Sequence, residues 1–190
     1  MLKYFYFPIL TIFILISCKT FGPYHIDKPY GSKVIYGEGR HPGIDFGTPK
    51  GTPVISVTDG EVIGIAEADP YAPYGGGLRL KLIHGDHFDS VYVHLSEIFV
   101  EKDQLVKRGQ LIGISGVSND GWEHLHFGIY QKGGGCKYYS QIYAPEKFWL
   151  GGQPQCFNLT TDYSDYSQEY ITLPLACGDY AKQLIYDNKK

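Results

Sequence analysis

"GLRLKLIHGDHFDSVYVHLS", residues 77–96, decides the fold. Leu78, Leu80 and Leu82 alternate with Arg79 and Lys81, the period-two pattern of a strand with one buried face. Gly85, Asp86 and His87 then turn the chain. In the run that follows, Val91, Val93 and Leu95 share one face, and Tyr92 and His94 share the other. Two such runs joined by a short turn predict an antiparallel hairpin.

Working outward, the same signals recur. "PVISV" (53–57), Asp59-Gly60 and "EVIGIA" (61–66) read as a second hairpin with a tight turn. "QLIGISG" (110–116) and "HLHFGIY" (124–130) complete the series, and helical periodicity is nearly absent. Frequent Gly (24 of 190 residues) and Tyr (17) suit short strands and tight turns over helix bundles. The expected architecture is mostly β: an antiparallel folded sheet or open barrel-like sandwich over residues 33–149. Residues 150–190 are polar and tyrosine-rich and read as a short irregular C-terminal extension stapled to the core. They end in a short helix with Ala181, Leu184 and Ile185 roughly on one side. The mild formal charge of −3 provides no footprint for nucleic acid.

The first residues read as an export signal. "MLKYFYFPILTIFILISC" has Lys3 near its start and an apolar stretch through Ile16, too short for a comfortable membrane span. "LISC" (15–18) resembles a bacterial lipobox, which implies cleavage before Cys18 and lipid on its sulfur and new amino terminus. Residues 1–17 are therefore expected as a lipoprotein signal peptide. Residues 18–32 are expected as the lipidated cysteine and a tether reaching at most about 50 Å, and the cell envelope as the location. Cys136, Cys156 and Cys177 remain, and in an oxidising compartment one disulfide and one free thiol are expected, with three pairings possible.

Seven histidines punctuate the chain. In "RHPGIDFG" (40–47), His41 and Asp45 stand four apart across Pro42 and Gly43, which disfavour a helix. An extended segment returns both to one face, where imidazole and carboxylate are good Zn²⁺ ligands. Taken alone, this motif is better explained by a His–Asp hydrogen bond at a strand entrance. In "WEHLHFGIY" (122–130), His124 and His126 share a face, and Leu125 points to the core. His94 alone is weak. His84 and His87 read as exposed turn residues, with His84 lining the groove, and His25 as incidental in the tether.

Together, His41-x-x-x-Asp45, Tyr92-x-His94 and His124-Leu125-His126 resemble the lysostaphin-type (LytM-like) zinc endopeptidases of bacterial cell walls. "DGEV" (59–62), "GGGLRLKLIHGD" (75–86) and "VKRGQLIGISG" (106–116) lie between them in family order. The resemblance implies one Zn²⁺ held by His41, Asp45 and His126, with His94 and His124 as catalytic histidines that do not bind metal. It also implies peptidoglycan cross-links as substrate. No H-E-x-x-H glutamate is present, and proton work would fall on histidine, whose reference pKa is about 6.5. Two departures stand out: "VSNDGWE" (117–123) replaces a shorter run of small residues, and Gly128 stands where Glu or Gln is usual. They bear on the shape of the substrate groove, for which Asn119 and Trp122, and Tyr92 from the His94 motif, are candidates. Two other readings are a non-catalytic cell-wall binding or amidase-activating module on the same fold, and a zinc peptidase acting on a protein.

Overall fold

The computed structural model describes residues 24–34, 39–68, 75–134 and 139–187. The signal peptide, Cys18 and Cys136 lie outside them. Ten strands form one antiparallel sheet: β1 (His25–Lys28), β2 (Ile44–Gly47), β3 (Pro53–Ile55), β4 (Gly60–Glu67), β5 (Leu78–His84), β6 (Phe88–Ile98), β7 (Leu105–Val106), β8 (Leu111–Val117), β9 (Glu123–Gln131) and β10 (Ile142–Tyr143). A single α-helix is described, α1 (Gly178–Asp187). The sheet is open and folded, as expected. No described helix is long and apolar enough to cross a membrane.

The hairpin at residues 77–96 forms as β5–β6, with His84 opposite Phe88. Strand β6 is the hinge of the sheet. Its first part, Phe88 to Val93, pairs with β9, and its end, from Leu95, pairs with β8. The side chains of β6 do not follow the expected parity. Tyr92 is fully buried in the main core with Leu80, Leu82, Leu95 and Phe127, while Val91 and Val93 lie on the opposite face with Tyr130 and Ile142. Tyr92 is therefore not a groove residue. Its ring sits 5.3 Å from that of Phe127, its hydroxyl accepts the Val57 N–H at 3.2 Å, and burial pushes the phenol up to about 12. The pattern misled because both faces of β6 are covered, so apolar residues stand on each. It also breaks within the strand: Tyr92 and Leu95, three apart, enter the same core because His94 between them has φ +65°.

Three other expectations are corrected. First, β3 and β4 do not pair with each other. β3 pairs with β8, and β4 with β5 and β7. The chain between them crosses from one arm of the sheet to the other. Asp59 serves there as a clamp rather than a turn residue, accepting the Arg108 N–H at 2.9 Å and the Lys107 ammonium at 2.8 Å. Second, the expected tether is built into the fold from Tyr24 onward. β1 pairs with β2, and the Tyr24 hydroxyl donates to the Ala176 carbonyl. Third, His84 is not exposed. It continues the Leu80, Leu82 face into the core with no exposure. Its Nδ1–H donates to the Asp59 carbonyl (2.8 Å), and its Nε2 accepts from the Ser90 hydroxyl (2.7 Å). The stretch after residue 150 is more than an appendage: Ile171, Leu173 and Leu175 are members of the main core. Cys156 pairs with Cys177 within it.

Burial lowers the His84 pKa to about 4, partly offset by its bond to the Asp59 carbonyl, and nearby Arg108 adds to the depression. The folded state thus holds the neutral ring while the unfolded chain titrates near 6.5. Between those values the unfolded state binds more protons, so stability is lost as pH falls from 6.5 toward 4. The loss amounts to about 3 kcal/mol. His84→Gln, which keeps a donor and an acceptor, should flatten this part of the pH dependence in urea unfolding measured at both pH values.

Candidate active site

The register of β2 on β9 sets Asp45 opposite His126, and the register of β9 on β6 sets His126 opposite Val93. Alternation along β9 turns His124 and His126 to one face and Leu125 and Phe127 into the core. His41 arrives from the loop before β2. Its backbone N–H donates to the Ser32 carbonyl and its own carbonyl accepts from Gly31, both at 2.9 Å, so the segment after β1 holds this loop in place. Gly43 lets it approach: a Cβ there would lie 2.4 Å from the Phe127 carbonyl oxygen and 2.9 Å from the His126 ring.

Three donor atoms converge. Asp45 Oδ1 lies 3.0 Å from His41 Nε2 and 2.8 Å from His126 Nδ1, and the two nitrogens are 3.1 Å apart. Ligands about 2.0–2.1 Å from a tetrahedral zinc stand about 3.3 Å from one another, so a small adjustment opens this group around the ion. Two imidazoles and one carboxylate suit zinc and leave a coordination position open, whereas calcium would require six or more oxygens. Among the described residues this is the one cluster of His, Cys, Asp or Glu close enough to hold a metal. Burial alone would raise the Asp45 carboxyl, but hydrogen bonds and charge from His126 and His41 outweigh it and hold the group well below the usual carboxylate range.

His94 and His124 stand beside this group, and neither joins it. His124 Nε2 is 3.9 Å from Asp45 Oδ1, and the His94 and His124 rings are 4.5 Å apart. Each gives its Nδ1–H to a backbone carbonyl, His94 to Gly76 at 3.0 Å and His124 to Trp122 at 3.1 Å. His41 does the same to Pro29 at 3.2 Å. A carbonyl only accepts, so each of these Nδ1 atoms carries a proton, and in the neutral form of His94 and His124 the lone pair is on Nε2. Burial lowers the pKa of His94 to about 4, with His124 adding to the effect, and burial lowers that of His124 as well. Both rings are therefore neutral near pH 7 and able to accept a proton.

His94 reaches this face only through its left-handed backbone. By strand alternation it would follow Tyr92 into the core. Gly77, itself at φ +69°, packs against the distorted segment: a Cβ on it would sit 2.9 Å from both the His94 Cα and the Leu95 carbonyl oxygen. A non-glycine residue in this conformation is strain held by its surroundings.

Of the proposed groove residues, Trp122 is in place. Its ring stacks on His124 at 3.9 Å between centroids, with planes 25° apart, and Lys28 Nζ stands 4.4 Å from its ring centre. Asn119 lies to one side, its N–H donating to the Gly75 carbonyl at 2.9 Å, and backs the 75–77 segment instead of lining the main cleft. The second departure also has a physical reason. A Cβ at Gly128 would lie 2.7 Å from the Tyr130 ring, so Tyr130 fills the space where a larger side chain would stand. Two contributors went unseen in the sequence. Lys28 has the sequence context of a tether, and nothing in the glycine run at 75–77 signals that it cradles His94.

Comparison with known proteins agrees with this geometry. The model of peptidase family M23 matches residues 39–137, a span that holds all five residues. The peptidoglycan DD-endopeptidase ShyB of Vibrio cholerae is 37% identical over 124 residues, 58% of this chain and 28% of that one. The murein hydrolase activator NlpD of Escherichia coli is 35% identical over 96 residues, 50% of this chain and 24% of that one. The match thus spans about a quarter of the length of these curated relatives. The solved catalytic domain of lysostaphin from Staphylococcus simulans superimposes with a TM-score of 0.57 at 29% identity, covering 66% of this chain and 91% of that domain.

Proposed function

The chain belongs to peptidase family M23, and on that premise we propose that it is a zinc-dependent endopeptidase cutting peptide cross-links of peptidoglycan. One observation carries the reading: a His41–Asp45–His126 donor triangle with the two further neutral histidines, His94 and His124, beside it in one cleft. The substrate class is supported by what similar proteins are named for.

His41, Asp45 and His126 would hold the ion. A zinc there supplies Lewis acidity, acidifying a water and polarising a carbonyl. The remaining work belongs to the chain. One of His94 and His124 takes a proton at Nε2 from the attacking water. The other donates to the developing oxyanion or to the leaving amine. Their Nδ1 bonds to fixed carbonyls hold the rings in the tautomer this requires, and the Trp122 ring limits rotation of His124.

Purified protein should contain about one zinc per chain and release soluble fragments from cell-wall sacculi, and a chelator should stop the release. Mass spectrometry of the fragments identifies the bond. The likeness to a murein hydrolase activator favours a second reading, a module that binds cell wall without cutting it. Zinc-loaded protein that binds sacculi and releases nothing would establish that reading in place of ours. Anchoring through Cys18 in the cell envelope is part of the proposal and rests on "LISC". Cys18→Ala should release the protein from membranes, and continued tight association would count against it.

A further inference from the structure

The cleft is a cavity of about 380 Å³, and a second of about 340 Å³ adjoins it, the two sharing Arg79, Val91 and Tyr130. Lys28, Lys33, Arg40 and Arg79 all line the first. This is a concentration of cation in a chain whose formal net charge is −3. The lining carboxylates are already committed. Asp45 is bonded to His41 and His126, and Asp120 accepts from the Ser118 hydroxyl and from the Trp122 N–H. Lys28 lies against Trp122. Lys81, two residues along β5 from Arg79, is spent on Asp89 at 2.7 Å. No ion pair among the described residues engages Lys33, Arg40 or Arg79, and all three are exposed. Arg40 makes only a long bond, 3.4 Å, to the Gly31 carbonyl.

Their placement brackets the chemistry. In sheet order β2 and β9 carry Asp45, His124 and His126. Arg79 stands on β5, beyond β6 on one side, and Lys33 and Arg40 precede β2 on the other. Strands β6, β9 and β2 thus lie between Arg79 and the segment that carries Lys33 and Arg40. A guanidinium is suited to a carboxylate, which it binds with two parallel N–H donors.

We infer that Arg79 on one wall, and Arg40 with Lys33 on the other, bind free carboxylates on either side of the scissile amide. The substrate is then an acidic peptide, and an uncharged bridge is disfavoured. This rests on the peptidase reading above for its scissile bond, but its test requires no turnover. Zinc-loaded protein is titrated calorimetrically with N-acetyl-Glu-Ala-Glu-amide and with N-acetyl-Gln-Ala-Gln-amide. The acidic peptide should bind at least about tenfold more tightly, an advantage that salt reduces. Arg79→Gln, at an exposed position where folding is not at stake, should remove most of it. Equal affinity for the two peptides, or no detectable binding of either, overturns the inference. So does a preference that survives Arg79→Gln undiminished, which would assign the carboxylate to the metal. Failure to cut sacculi with the charge preference intact would instead count against the peptidase reading alone.

Discussion

Asp45→Ala should lose zinc and, with it, all measurable hydrolysis. Asp45 is the one anion among the three donors and the one that touches both of the others, at 3.0 Å and 2.8 Å. Removing it leaves two imidazoles, one on the loop before β2 and one on β9, that its carboxylate no longer ties together. Loss of even a supporting partner behind a ligand costs about 10–100-fold in metal affinity, and loss of this ligand should exceed that range. Competition with a chromogenic chelator measures it. Zinc affinity within tenfold of the parent would show that Asp45 is a hydrogen-bond partner and no ligand.

The second large effect is expected at a residue that touches no ligand. Gly77→Ala forces a side chain onto φ +69° and a Cβ to within 2.9 Å of the His94 Cα. Strain and crowding together should cost about 2–4 kcal/mol of stability. The strand would relieve the contact by moving His94, and a displacement of about 1 Å of a catalytic group can lower turnover about 10²-fold. Zinc content should not change, because His41, Asp45 and His126 lie on β2, its approach and β9. Thermal unfolding, zinc content and sacculus hydrolysis on the one variant separate these effects.

What could be read from the chain differs by element, for physical reasons. Strand β5 was legible because Leu80 and Leu82 are buried while Arg79 and Lys81 beside them are more open, the hairpin because a Gly-Asp turn follows it, and the site strand β9 because His124 and His126 alternate with the core residues Leu125 and Phe127. The parity of β6 was not legible, since Val91, Tyr92 and Val93 are apolar on both faces and His94 breaks the alternation through a backbone angle. His84 could have been found: it stands in phase with Leu80 and Leu82, and that phase outweighs its position beside a turn. β1 could not, because four polar-leaning residues on a sheet edge have the composition of a linker. The Asp59-Gly60 pair has the signature of a hairpin turn, yet Asp59 spends its side chain on residues 107 and 108 and its carbonyl on His84, contacts no local window contains. The donor triangle itself joins residues 41, 45 and 126, and only the register of β2 on β9 makes them neighbours.

The central claim is a division of labour in which three residues hold the metal and two histidines beside them move protons. Zinc content and sacculus hydrolysis, measured together on His94→Ala and His124→Ala, test it most directly. Each variant should retain about one zinc per chain and lose turnover by about 10²–10⁴-fold. A variant that loses its zinc, or one that keeps near-parental turnover, would contradict the assignment.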